Sequence, residues 1–256
     1  MKTVPLHHES AGRLDAPPLL LGGSLGTTLA MWEPQVHVLS GRLRMIPFDH
    51  RGHGASPAPV GPYTIAELGQ DVIALMDRLR FDRASYCGLS IGGMVGQWLA
   101  GNHPERIDKL VLIATSAYLG DPAPWIERAG MVRSAGTVEV VADTVVSRWF
   151  TPPWAHAHGH TVRTYRDMLA ATSVEGYAGC CEAISALDVR PELARITAPT
   201  LVISGAEDPS LPPPHQQAIA DAIPGARLET IAGAAHLPSV QHPARVNQLI
   251  FDHLGL

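Results

Sequence analysis

Charge is scarce in this 256-residue chain: Asp, Glu, Lys and Arg make up 17% of it, with 19 basic against 24 acidic residues and a formal net charge of -5. Such a composition gives no basic stripe able to neutralise phosphates, so nucleic acid is not an expected partner. Cysteine is scarcer still, with an odd 3 that cannot all pair. Cys180 and Cys181 are adjacent and badly placed to bridge each other, and Cys87 falls in an apolar run, so all are expected as free thiols of a reducing compartment. Uninterrupted apolar stretches of membrane length are missing, and Met1 to Leu6 holds no signal-peptide core. The expected location is cytoplasmic, with no membrane partner. What the chain does have is apolar substance, 46% hydrophobic residues, enough for one domain with a large buried core.

The apolar residues come in short runs: Pro17 to Leu21, Arg44 to Phe48, Ala84 to Cys87, Leu110 to Ala114, Thr200 to Ser204 and Arg227 to Ile231. Each ends on Gly, Asp or Ser and reads as a strand; most are continuously apolar, as in a parallel sheet covered on both faces. Helical spacing fills Thr64 to Leu79, Gly93 to Asn102, Pro213 to Ala222 and Pro243 to Leu254, and Thr64 with Glu67 forms a candidate capping box. This alternation predicts an α/β fold with a mostly parallel central sheet flanked by helices. It breaks between residues 117 and 187, a strand-free interval with helical patterns and three of the five tryptophans, Trp125, Trp149 and Trp154. The expectation is a helical cap on a core of residues 1–116 and 188–256, roofing the carboxyl ends of the strands.

Chemistry is concentrated at three strand ends. Gly88-Leu89-Ser90-Ile91-Gly92 joins a strand directly to a helix, and glycines two positions on either side of the serine relieve a cramped turn that presents its hydroxyl. A serine needs a base, and the base a carboxylate to fix its tautomer. Asp208 follows the fifth run, with adjacent Glu207 as its competitor, and His236 follows the sixth in a Gly/Ala-rich loop. The chain order Ser90, Asp208, His236 is the one required by the α/β-hydrolase arrangement. An oxyanion requires two N–H donors. One is expected from Ile91, the other from Leu25 in the loop Gly22-Gly23-Ser24-Leu25-Gly26, with Ser24 as a helper.

Over essentially its whole length the chain resembles the α/β-hydrolase superfamily, and Phe48 to Ser56 resembles that family's Asp-x-Arg-Gly-x-Gly-x-Ser turn. It is more specifically similar to the 3-oxoadipate enol-lactonases of bacterial aromatic catabolism. Four segments carry this likeness: Ser24-Leu25-Gly26-Thr27 with Met31-Trp32; Gly61 to Ile65; Gly88 to Trp98 with His103 to Arg106; and Arg148-Trp149-Phe150-Thr151. Some members of that family carry a fused carboxymuconolactone decarboxylase domain, for which 256 residues are not expected to leave room. The resemblance implies opening of a small enol-lactone that bears a carboxylate, without metal or organic cofactor. A free carboxylate calls for a cation, and the cap offers Arg148 beside Trp149, with Arg128, Arg133, Arg163 and Arg166 as alternatives.

Other signals are weaker. His156, His158 and His160 match no zinc spacing and are expected in an exposed cap loop. His53 is expected to bond its own turn, and Cys87 to be a small core residue. Two readings compete with the lactonase: a broad carboxylesterase or cofactor-free perhydrolase with the same triad, and a ligand-binding protein that keeps the fold without catalysis.

Overall fold

A computed structural model describes residues 3–256. Its sheet consists of β1 (Pro18–Gly22), β2 (Arg44–Phe48), β3 (Ala84–Leu89), β4 (Ile107–Ile113), β5 (Thr200–Gly205) and β6 (Arg227–Ile231). All six pair in parallel, in the order β2-β1-β3-β4-β5-β6. Burial follows that order. Every residue of β3 and β5 is buried, whereas β6 at the edge fully buries only Ile231, which accounts for the polar Arg227, Glu229 and Thr230 in it. The opposite edge strand, β2, is met by antiparallel bridges from His8 and Ala11, so the N-terminal segment covers it.

The expected helices occur over Ile65–Arg78, Ile91–Asn102, Pro213–Ala222 and Pro243–Leu254. Thr64 and Glu67 do form a reciprocal capping box: Thr64 Oγ1 accepts the Glu67 N–H at 3.1 Å, and Glu67 Oε2 accepts the Thr64 N–H at 2.9 Å. Short helices over Glu33–Leu39, Arg190–Leu193 and Pro238–Gln241 lack a strong apolar period and were not anticipated.

Sheet order reverses at β1, which lies between β2 and β3. Gly22, the last residue of β1, is in register with Gly88 of β3, so the loops leaving both strands emerge side by side at the sheet's carboxyl edge. That crevice is where an open α/β sheet binds ligands. Above it stand helices Ala123–Ala135, Glu139–Val146, Pro152–Ala157, Gly159–Ala170 and Val174–Ser185. The chain enters and leaves this region at one place, where Tyr118 bridges Asp188 and the Val189 N–H donates to the Ala117 carbonyl at 3.0 Å. On that closure we propose residues 117–187 as a cap unit on the remainder of the chain.

One expectation about the cap is corrected. His156 and His160 do not sit in a loop but in two consecutive helices, and His158 is the single turn residue that joins them; Pro152 and Pro153 start the first helix at positions where a missing N–H costs nothing. The His158 ring stacks on Trp154 at 4.1 Å, and no group of three or more metal-ligating side chains occurs among the described residues.

Candidate active site

Ser90 joins β3 to the helix Ile91–Asn102 with φ 57° and ψ -117°, a region a non-glycine residue occupies at a cost of about 1–3 kcal/mol. The surroundings fix this conformation. The Ser90 N–H donates to the Ile113 carbonyl at 2.9 Å, and the Ser90 carbonyl accepts from Met94 N–H at 3.0 Å and Thr115 Oγ1 at 2.7 Å. The neighbouring glycines are there for space: a Cβ on Gly88 would strike the Gly92 carbonyl, and one on Gly92 would strike the carbonyl of Gly22. The serine side chain is left at the amino end of the helix, facing His236.

His236 Nε2 lies 3.0 Å from Ser90 Oγ, and His236 Nδ1 lies 2.8 Å from Asp208 Oδ2. The second oxygen, Asp208 Oδ1, accepts the N–H groups of Ser210 and Leu211 at 2.8 and 3.0 Å. An ionised carboxylate can only accept, so Nδ1 carries the imidazole proton and Nε2 is the acceptor for the Ser90 hydroxyl. All three side chains are buried, and Glu207 is exposed. Cys87 is fully buried, and burial pushes its thiol well above the usual range, as expected of a core residue.

The loop after β1 is held from several sides. Thr27 N–H and Thr27 Oγ1 reach the Ser24 carbonyl at 3.1 and 2.8 Å, the Gly92 N–H donates to the Gly23 carbonyl at 3.1 Å, and the Gly26 N–H donates to His53 Nε2 at 2.9 Å. Between these anchors the Leu25 N–H has no acceptor among the described residues, and neither has the Ile91 N–H. His53 thus does more than bond its own turn.

Ser24, Leu25, Ser90 and His236 line a cavity of about 50 Å³, closed from the cap side by Trp125, Arg128, Trp149 and Tyr177. Larger depressions elsewhere, such as one of about 390 Å³ beside Tyr118, Arg190 and His215, share no lining residue with it. Trp149 lines the cavity, and the segment it heads ties the cap to the histidine loop: the Leu237 N–H donates to the Trp149 carbonyl at 3.0 Å, and Gln241 Nε2 donates to Thr151 Oγ1 at 3.1 Å.

Arg148 is a different matter. Its side chain is exposed and absent from the cavity wall. Consecutive residues of a tight turn face directions about 120° apart, so an inward Trp149 turns its neighbour toward solvent. Arg128 is the arginine in the wall, half-buried, its guanidinium 4.7 Å from the Trp125 ring centre. No ion pair engages Arg128 among the described residues, whereas Arg133 is spent on Glu175 and Glu182, and Arg166 on Glu139 and Asp143. Arg163 is exposed and lines no part of the cavity. Beside Arg128 the fully buried Tyr177 hydroxyl has that guanidinium as a polar neighbour and no acceptor for its own proton. Tyr177, Met94, Val145, Ile184, Ser210 and Leu211 are lining residues that sequence reasoning missed.

The profile of the α/β-hydrolase fold family matches residues 17–135 and 161–243. Among proteins of known name, the chain is 42% identical to 3-oxoadipate enol-lactonase 2 of Acinetobacter baylyi over 247 residues, 96% of this chain and 92% of that protein. It is 32% identical to 3-oxoadipate enol-lactonase 1 of the same organism over 93% of this chain and 88% of that one. Among solved structures, the enol-lactonase of Burkholderia xenovorans LB400 superposes with a TM-score of 0.96 at 41% identity, covering 99% of this chain and 97% of that one. A hairpin-free parallel sheet, a serine at a strand-to-helix turn and these relatives agree: the chain belongs to the α/β-hydrolase family, within it to the 3-oxoadipate enol-lactonases, and is a hydrolase of ester or lactone bonds.

Proposed function

We propose that the protein opens 3-oxoadipate enol-lactone to 3-oxoadipate, a step of the β-ketoadipate route of aromatic catabolism, through a Ser90-His236-Asp208 acyl-enzyme mechanism. The observation that carries the substrate choice is Arg128, an arginine without an acidic partner in the wall of the Ser90 cavity. A cation left unpaired beside apolar walls favours a ligand that brings its own negative charge, and a guanidinium suits a carboxylate. The Tyr177 hydroxyl supplies a further donor next to it.

His236 Nε2 takes the Ser90 proton as Oγ attacks the lactone carbonyl, and the N–H groups of Leu25 and Ile91 stabilise the oxyanion, with Ser24 lining the same side. Collapse of the tetrahedral intermediate breaks the ring C–O bond, and His236 returns the proton to the departing enol oxygen. That enol is a better leaving group than an alkoxide and becomes a ketone. Because the leaving oxygen belongs to the same molecule, the acyl-enzyme retains the whole product until His236 deprotonates a water that hydrolyses it. Every proton is handled by His236, so no step calls for a metal or organic cofactor. A reducing cytoplasmic setting suits the three free, buried thiols.

Initial rates on the enol-lactone and on a neutral p-nitrophenyl ester test the assignment, with Ser90→Ala as control. Preference for the anionic lactone, lost by several powers of ten in folded Ser90→Ala, is the expected result. Preference for the neutral ester would turn the reading to a broad esterase, and failure of a fluorophosphonate to label Ser90 would turn it to a non-catalytic binding protein.

A further inference from the structure

His53 lies outside the cavity wall, yet both of its ring nitrogens are committed. Nδ1 is 3.2 Å from the Arg51 carbonyl, which can only accept, so Nδ1 carries the proton and Nε2 is a lone-pair acceptor. The hydrogen that Nε2 receives is the N–H of Gly26, at 2.9 Å.

Gly26 belongs to the turn Ser24-Leu25-Gly26-Thr27, closed by the Thr27 N–H on the Ser24 carbonyl. It has φ 81°, the positive value that a type II turn demands at its third residue. Types I and II differ by a half-rotation of the central peptide, here the one joining Leu25 to Gly26. In the observed state that peptide points its N–H at His53; rotated, it would present the Leu25 carbonyl oxygen to the Nε2 lone pair. The peptide before it is pinned separately. Since C=O and N–H point opposite ways in a trans peptide, holding the Ser24 carbonyl on Thr27 turns the Leu25 N–H away from Thr27.

We propose that His53 is a positioning residue for the reaction: by accepting the Gly26 N–H it locks the turn in its type II state and ties the whole turn, whose Leu25 N–H the Thr27 bonds already orient, to a fixed distance from the oxyanion. This rests on the Ser90 hydrolase reading above. The anchor itself is rigid. Asp49 Oδ1 accepts the Leu29 N–H at 2.6 Å, Asp49 Oδ2 accepts the Ala55 N–H at 3.0 Å, and Arg51 grips Asp71 through Nε and Nη2 at 2.6 and 2.8 Å. The segment Asp49 to Ser56 thereby acquires a task, holding a catalytic loop from behind, that its distance from the substrate conceals.

Two substitutions and one measurement on the wild type test this. In His53→Leu the acceptor is gone; in His53→Gln a side-chain carbonyl can replace it. For folded His53→Leu, kcat falls about 100-fold, the scale of losing one oxyanion donor, while KM stays within about threefold. Affinity for a boronic acid, whose tetrahedral serine adduct places an oxygen at the oxyanion position, falls at least about tenfold, and affinity for 3-oxoadipate holds. His53→Gln recovers most of both losses. Unchanged kcat and boronate affinity in folded His53→Leu would overturn the inference, as would parallel loss of 3-oxoadipate binding. Should His53→Leu not fold, NMR of the wild type decides: Nδ1-protonated His53 and a Gly26 amide protected from exchange are expected, and a rapidly exchanging Gly26 amide sinks the proposal. Full activity in Ser90→Ala would instead sink the underlying hydrolase reading, whatever His53 does.

Discussion

The Arg128 guanidinium lies over the Trp125 ring, 4.7 Å from its centre, one helical turn along the cap helix that forms the wall opposite Ser90. Ring and cation share a face because residues three apart on a helix are neighbours. Arg128→Met keeps the bulk and removes the charge. Losing a charge-assisted pair worth about 1.5–3 kcal/mol lowers kcat/KM for the anionic enol-lactone about 10- to 100-fold. The rate on a neutral p-nitrophenyl ester changes little, and Arg148→Met leaves both within about twofold. Equal losses on both substrates would remove Arg128 from carboxylate recognition.

Tyr177 gives a prediction in which stability and binding move in opposite directions. Its hydroxyl is buried with no acceptor for its proton, a state that costs about 1–3 kcal/mol, and burial, which outweighs the pull of Arg128, pushes the phenol pKa up so that the group keeps its proton. Tyr177→Phe deletes the orphan hydroxyl and leaves the packing. The variant melts at the same or a higher temperature than the wild type, while KM for the enol-lactone rises several-fold. A clear drop in melting temperature would mean that the hydroxyl donates its proton to a partner within the protein and has none to spare for a substrate.

These two residues also mark where the sequence ceased to be readable. The strands were legible because a sheet buried on both faces forces continuous runs such as Leu19 to Leu21 and Leu201 to Ile203. Ser90 and Asp208 were legible because each follows such a run at the one edge where a turn can expose a side chain, and His236 because it follows the half-exposed edge strand β6 at that same edge. The cap offers no equivalent frame. Its short helices pack at angles no local period encodes, so the direction of each side chain is a tertiary property. Arg148 and Trp149 are adjacent in sequence and diverge in space; Arg128 and Tyr177 are distant in sequence and meet. The spacing Trp125-x-x-Arg128 was the available signal, an aromatic and a cation on one helical face.

The serine turn depends on contact between Gly92 and the backbone of β1. A Cβ on Gly92 would run into the Gly22 carbonyl, which no rotamer change can move aside. Gly92→Ala must push β1 and β3 apart where the loops carrying Leu25 and Ser90 emerge. Overpacking of this kind costs about 1–3 kcal/mol, and the displacement falls on the distance between the oxyanion donors and the serine. A fall in kcat of about tenfold or more is expected alongside the lowered melting temperature. Wild-type labelling of Ser90 by a fluorophosphonate in this variant would show that the turn tolerates the methyl group.

Acid should weaken the fold through two buried histidines. Burial, with repulsion from His53, holds His50 down to about 3, and burial holds His53 below its usual value, though Asp49 pulls the latter up. Their rings stand edge to face at 6.4 Å, His50 also meets the edge of Phe48 at 5.1 Å, and its Nε2 lacks a partner. Both are therefore neutral in the folded chain at a pH where the unfolded chain has already protonated them. Their stabilising contribution is complete above about pH 6.5 and is lost as the pH falls toward the folded values, with a slope approaching about 1.4 kcal/mol per pH unit for each histidine. Urea midpoints between pH 6.5 and 5 measure that slope before carboxylates intervene. His50→Phe, which has no titrating ring, should flatten it by one proton's worth, even if the new ring shifts stability at pH 7. An unchanged slope would mean that His50 is protonated in the folded protein, where burial and the neighbouring His53 outweigh the Gly23 backbone contact that favours the charge.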